Sequence, residues 1–264
     1  MVKEAFASNG CCVHNVGMYL RGTLVGLFGL LLAGTVMAKD LPLPKLRPSP
    51  LRPVAKTVPG FPAIPFLVAG WKKDEIVAAQ SHCATMLRGL DIKYQALAPL
   101  GSSGGCGSAA PILISAIGNT SINPPAEANC DFAEALYGWV TSSLLPAARE
   151  YLHQEVTVIN NASAYACRRR NGLSSGKLSE HGKANALDIS TLKFSDGAMT
   201  SIKGDWTGAA QLLGVSDKGK FLRRLRRDAC IRFTTVLGPG SDKYHGDHFH
   251  LDLAQRRGGF RICK

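Results

Sequence analysis

The segment His248-Phe249-His250-Leu251-Asp252-Leu253 alternates polar and apolar residues without a break. An extended strand has that two-residue period. The segment therefore predicts a half-buried strand, with Phe249, Leu251 and Leu253 in a core and His248, His250 and Asp252 on the opposite face. Two imidazoles two residues apart on one face can meet a single ion. An earlier stretch, Ser179-Glu180-His181-Gly182-Lys183-Ala184-Asn185-Ala186-Leu187-Asp188, carries the same residue types. It runs on through Ile189 and Ser190 with the same alternation, which places Asp188 on a strand and His181 in the loop before it. Gly182 and the alanines leave room for close backbone approach. Neutral imidazole with carboxylate suits zinc, and three protein ligands with a fourth position left to water is the arrangement of a catalytic zinc. One histidine alone reads as an ordinary polar residue; two complementary clusters do not.

The rest of the chain supplies a frame for these two stretches. Met18-Tyr19-Leu20-Arg21, the apolar run Thr23 to Leu32 and the small-residue site Val36-Met37-Ala38 form a signal segment over residues 1–38, with 1–17 as an upstream extension. The run is short for a membrane span and is broken by Gly26, Gly29 and Gly34. Prolines 42, 44, 48, 50, 53, 59, 62 and 65 make residues 39–70 an extended spacer. The folded domain is expected over 71–264. Its predicted helices are Ile76 to Leu87, opened by Asp74-Glu75; Asp131 to Tyr151, with a kink or break at Pro146; and the basic Phe221 to Phe233. Predicted strands are Ile92 to Leu97, Ile112 to Ile117, Val156 to Asn160 and Thr234 to Leu237. Residues 193–206 read as polar and turn-rich. His82, Trp139 and His153 read as structural. The Gly-rich loop 101–107 leads into no helix with Lys-Ser/Thr, which excludes a phosphate loop. The fold class is α+β: helices packed on a small antiparallel sheet that carries the site.

Cys11 and Cys12 lie in the upstream extension 1–17, leaving Cys83, Cys106, Cys130, Cys167, Cys230 and Cys263 in the domain. Six cysteines in an exported domain predict up to three disulfides. Sequence proximity suggests Cys83–Cys106, Cys130–Cys167 and Cys230–Cys263. The formal charge is +12. With export, a basic chain meets anionic envelope polymers, while the absence of any nucleic-acid motif argues against a nucleic-acid partner. A periplasmic or secreted location is expected, with no membrane span after signal cleavage.

The pattern Ser179-x-His181-Gly182 … Asp188, followed by His248-x-His250, resembles the zinc peptidases of the LAS type, which include D-Ala-D-Ala carboxypeptidases and murein endopeptidases. Over residues from about 83 to 263 the chain is similar to the bacterial extensin-like C-terminal domain family. The marks are Ser163-x-Tyr165-Ala166-Cys167-Arg168, Ser179-Glu180-His181, Asn185-Ala186-Leu187-Asp188-Ile189, Val236-Leu237-Gly238-Pro239-Gly240 and Asp247-His248-Phe249-His250-Leu251-Asp252. The LAS resemblance implies a hedgehog-like peptidase core and zinc held by His181, Asp188 and His250. It also implies peptidoglycan as partner, with Tyr165, Arg168 and Ser179 on the substrate side. Asp247 is expected as the base and His248 as transition-state stabiliser; the reverse stays open, because strand parity puts His248 on the face of His250. Arg168 stands two residues beyond its usual place, on the same face of an expected strand as Ala166. Peptidoglycan peptide hydrolysis is the leading expectation. A zinc-containing wall-binding module without turnover is the alternative, and a structural envelope protein the weakest reading.

Overall fold

Alternating residues at the centre of the chain build the centre of the sheet. The computed structural model describes residues 58–65, 68, 70–102, 104–207 and 216–264. The expected signal segment, its upstream extension and most of the proline-rich spacer lie outside these. Val58 is nonetheless buried, and Phe61 packs against the core.

The main sheet has nine strands, in the order β1 (Ile92–Ala96), β4 (Ile112–Ile117), β5 (Thr120–Ala128), β6 (Val156–Ser163), β7 (Ala186–Phe194), β10 (Phe249–Asp252), β9 (Thr235–Leu237) and β11 (Ile262–Cys263), with β8 (Met199–Ser201) paired to β7. β2 (Leu100–Gly101) and β3 (Gly107–Ser108) form a separate two-stranded sheet. The expected antiparallel sheet is thus larger and mixed: β5 with β6 and β11 with β9 run parallel. Residues 193–206 are also more regular than predicted. β7 runs to Phe194, and β8 leads into α4 (Ile202–Thr207). Most polar side chains there face outward while Phe194, Thr200 and Ile202 are buried, so polarity marked an exposed face, not a loop.

The remaining helices are α1 (Lys73–Met86), α2 (Cys130–Trp139), α3 (Leu145–Leu152) and α5 (Asp217–Arg232). α5 packs on both α2 and α3. Phe132, Leu136, Trp139, Phe221, Leu222 and Leu225 join Leu187, Ile189, Phe249 and Leu251 in one buried cluster. Asn129 caps α2, its Oδ1 accepting from the Phe132 N–H at 2.8 Å. The predicted break near Pro146 is a wide turn, Val140–Leu144, immediately before α3. Proline has no N–H and its ring crowds the carbonyl four residues back, so the turn widens instead of ending the helix. Arginines of the basic helix are held structurally: Arg224 lies 3.5 Å from Glu150, and Arg226 lies 4.6 Å above the Trp206 ring.

Three disulfides staple the domain: Cys83–Cys130, Cys106–Cys167 and Cys230–Cys263. Only the last pairing follows sequence proximity. Cys83 on α1 meets Cys130 at the start of α2 because those helices pack together. Cys106 is thereby free to pair with Cys167. The bonds place the domain in an oxidising, non-cytoplasmic setting. Among the described residues no helix is long and apolar enough to cross a membrane.

Candidate functional site

β7 and β10 are neighbours at the middle of the sheet, and their register sets His250 opposite Asp188 and Asp252 opposite Ala186. Leu187, Ile189, Phe249 and Leu251 face the core, as the alternation requires. Asp188, His250 and Asp252 therefore share the other face. Their burial there leaves them 6%, 8% and 5% exposed, too little for ordinary surface polars.

His181 comes from a single turn, Glu180–Lys183. The loop after β6 braces this turn: the Ala166 N–H donates to His181 O at 3.2 Å, and the Ser179 N–H donates to Arg168 O at 3.1 Å. A Cβ on Gly182 would lie 3.1 Å from Cys106 Sγ and 3.3 Å from Leu178 Cδ1, so the close approach expected for this glycine is real. The Cys106–Cys167 bond ties the bracing loop to the β2–β3 hairpin. Behind the turn, Glu180 accepts from Lys183 Nζ and Asn185 Nδ2, both at 2.8 Å.

His181, Asp188 and His250 bring one ligating atom each into a common space. His181 Nε2 lies 3.2 Å from Asp188 Oδ1 and 3.1 Å from His250 Nδ1, and the last two atoms are 2.8 Å apart. The opposite ring nitrogens are spent. His181 Nδ1–H donates to Ala164 O at 2.6 Å, and His250 Nε2–H donates to Asp252 Oδ2 at 3.0 Å. These partners assign the tautomers and leave the converging nitrogens with their lone pairs. Two imidazole lone pairs and a carboxylate oxygen in van der Waals contact require a cation between them. A proton is the smallest that serves. Burial alone would push His250 down, but its bonds to Asp188 and Asp252 outweigh this and raise it to about 9. Burial likewise favours the neutral acid of Asp188, yet bonds from His181 and His250 hold it well below the usual carboxylate range. The same donor set, with its outer nitrogens already oriented by a carbonyl and a carboxylate, could hold a metal ion.

The centre opens into a cleft of about 440 Å³ lined by Arg168, Arg170, Ser179, Tyr244, His245, His248 and Arg256, among others. His248 Nε2 faces the centre, 3.7 Å from Asp188 Oδ1, while its Nδ1–H donates to Asp247 at 2.8 Å. Asp247 is exposed and stands behind His248, away from the cluster. The bond from His248 holds its carboxyl low despite partial burial. Arg168 and Ser179 line the cleft as expected, and the Arg168 guanidinium has no hydrogen bond or ion pair among the described residues. Its expected strand does not exist: β6 ends at Ser163, and residues 164–168 are irregular. Bulges at Asn160–Asn161 and Asn161–Ser163 had already broken the parity of β6. For the same reason Tyr165 is directed elsewhere, into a small groove beside Pro124 and Asn161, and does not line the cleft.

In the sequence His245 heads the second His/Asp stretch, His245 to Asp252, but no individual role falls to it there. It is buried, its ring lies 5.2 Å from that of His248 and 5.5 Å from that of His250, and its Nδ1–H donates to Asp242 at 2.7 Å. Burial lowers its basicity more than Asp242 restores it. The only available signal was the spacing His245-x-x-His248-x-His250.

No curated protein and no solved structure matches the chain. The model of the extensin-like protein C-terminus matches residues 81–264, which takes in every strand and helix from β1 onward, all six paired cysteines and the whole imidazole cluster. The chain therefore belongs to the extensin-like C-terminal family.

Proposed function

We propose that the protein is a zinc-dependent hydrolase of peptide bonds in peptidoglycan, acting in the periplasm or outside the cell. The observation that carries this reading is the convergence of His181 Nε2, His250 Nδ1 and Asp188 Oδ1, with both outer imidazole nitrogens already occupied. Tetrahedral zinc with ligands near 2.05 Å needs donor atoms about 3.3 Å apart. The observed 2.8–3.2 Å separations fit after an outward shift of a few tenths of an ångström. Three protein ligands facing an open cleft match a catalytic site better than a closed structural one. The LAS-type likeness of the two motifs supports peptidoglycan peptides as substrate, as does a cleft that carries uncompensated guanidinium charge.

When bound, zinc supplies Lewis acidity that polarises a carbonyl and acidifies water. The chain's own groups do the rest. His248, oriented by Asp247, offers an Nε2 lone pair at the edge of the cluster and takes the proton of the attacking water. His248 thereby takes the role of base first expected of Asp247, and Asp247 orients it. His245, oriented by Asp242, stands beside His248 and is placed to carry a proton to the departing amine. Arg168 binds the developing negative oxygen or a substrate carboxylate, a contribution on the order of 3 kcal/mol. Ser179 lines the same wall.

The test combines metal analysis with digestion. The protein, purified with its disulfides formed, is expected to hold one zinc and to release new muropeptides from sacculi, and a chelator is expected to stop the release. Product masses then name the bond. Stoichiometric zinc without products would favour a wall-binding module, and absence of bound metal would sink the reading.

A further inference from the structure

Arg168, Arg170, Ser179 and His181 reach the cleft from one irregular hairpin, residues 164–181. Few bonds join its two arms. The Ala166 N–H donates to His181 O at 3.2 Å, the Ser179 N–H to Arg168 O at 3.1 Å and the Arg170 N–H to Lys177 O at 3.1 Å, with one further bridge between Arg169 and Leu178. The first arm also orients the imidazole, since Ala164 O accepts the His181 Nδ1–H at 2.6 Å. No residue from 165 to 178 is buried, so core packing does not hold this arm.

The Cys106–Cys167 bond does. Cys167 stands between Ala166, which bonds the His181 carbonyl, and Arg168, which lines the cleft. Its partner is buried and fixed: the Ser102 N–H donates to Cys106 O at 3.0 Å, and the Trp71 Nε1–H ties β2 down through Leu100 O at 2.8 Å. The same sulfur backs the turn that carries His181, because a Cβ on Gly182 would lie only 3.1 Å from Cys106 Sγ. Cys106 therefore acts twice, by a covalent bond to the bracing arm and by contact with the braced turn. We infer that Cys106–Cys167 is a positioning bond that sets His181 and Arg168 in place. Cys230–Cys263, by contrast, joins α5 to β11 and bonds nothing that touches His181. The positioning role stands on this geometry; its effect on zinc rests on the peptidase reading above. Asn129 N–H donates to Ala184 O at 2.6 Å and keeps the far end of the turn in place, so loss of the bond loosens the centre without dismantling it.

Two double variants of the full chain are compared: Cys106→Ala with Cys167→Ala, and Cys230→Ala with Cys263→Ala. Both should melt below the parent. Zinc affinity in a chelator competition should fall about 10–100-fold in the first and stay unchanged in the second. A second readout needs no ion. In metal-free protein the His181 Nδ1–H should give a slowly exchanging, downfield proton NMR signal, present in the parent and the second variant and lost in the first. Gly182→Val keeps all three disulfides yet crowds Cys106 Sγ. It should reproduce both effects, and it carries the test if the first double variant does not fold. Unchanged zinc affinity or a retained signal in the first double variant, or equal losses in both, would overturn the inference. A parent that holds no zinc, with the signal still lost only in the first double variant and in Gly182→Val, would remove the metal reading and leave the positioning role standing.

Discussion

The two clefts share Glu180 and differ in nearly everything else. The first, about 440 Å³, gathers Arg168, Arg170 and Arg256 around four clustered histidines. The second, about 690 Å³, holds Trp71, amides and three carboxylates, of which Glu180 has Lys183 against it. Neither is described by the chain's net charge of +12. A basic total thus says little about either surface. One cleft sets three arginines around a buried His/Asp centre, and the other sets three carboxylates beside a single lysine.

The comparison breaks first at the centre itself. His181→Ala should abolish zinc retention and sacculus hydrolysis; atomic absorption and muropeptide analysis on one preparation check both, and retained zinc would remove His181 from the ligand set. Next comes His248→Ala, expected to lower kcat by about 10²–10⁴-fold with zinc retained. Asp247→Asn should cost far less, since Asp247 orients His248 and does not face the centre; a larger loss for Asp247 than for His248 would restore Asp247 as the base. Asp252→Ala removes the acceptor behind His250 and should weaken zinc binding about 10–100-fold in a chelator competition.

The pH dependence sharpens the same contrast. In metal-free protein His250 is raised from 6.5 to about 9. A raised folded-state value contributes stability that is fully present below about 6.5 and lost as pH rises through about 9. Chelated protein should therefore melt progressively lower across that window. Zinc must displace the His250 proton, so its affinity should rise over the same range. Thermal scans with and without zinc should diverge as pH increases, and parallel curves would mean that no proton and ion compete there. The smallest effect is expected in the second cleft. His82→Ala breaks a pair exposed on both sides and should change stability by no more than about 1 kcal/mol.

Period-two segments were readable in advance because the pleat alone dictates them. β4 was placed at Ile112–Ile117, and the faces of Asp188 and His250 followed from their apolar neighbours. Trp139 was readable as core from helical spacing. Features that depend on tertiary packing were not. Cys83 finds Cys130 only because α1 lies on α2. Tyr165 could not be aimed, because parity does not survive the bulges in β6. His245 sits in a loop with no period, so only its neighbours in space give it meaning. Asp247 and His248 both lie before β10, which begins at Phe249, so alternation could not place them; the loop sets His248 Nε2 3.7 Å from Asp188 and leaves Asp247 exposed.

The β7–β10 pairing also protects the centre against its own nearest error. A slip of one residue would carry His250 and Asp252 into the core and swing Phe249 and Leu251 out into the cleft. Those two side chains are each 1% exposed, and losing their burial would cost about 1.5–3 kcal/mol apiece. Proofreading of the strand alignment is therefore done by grease on the far side of the sheet. On the proposed reading, the convergence of Asp188 and His250 on His181 is thus set by the sheet, and a bound ion would spend no affinity on correcting it.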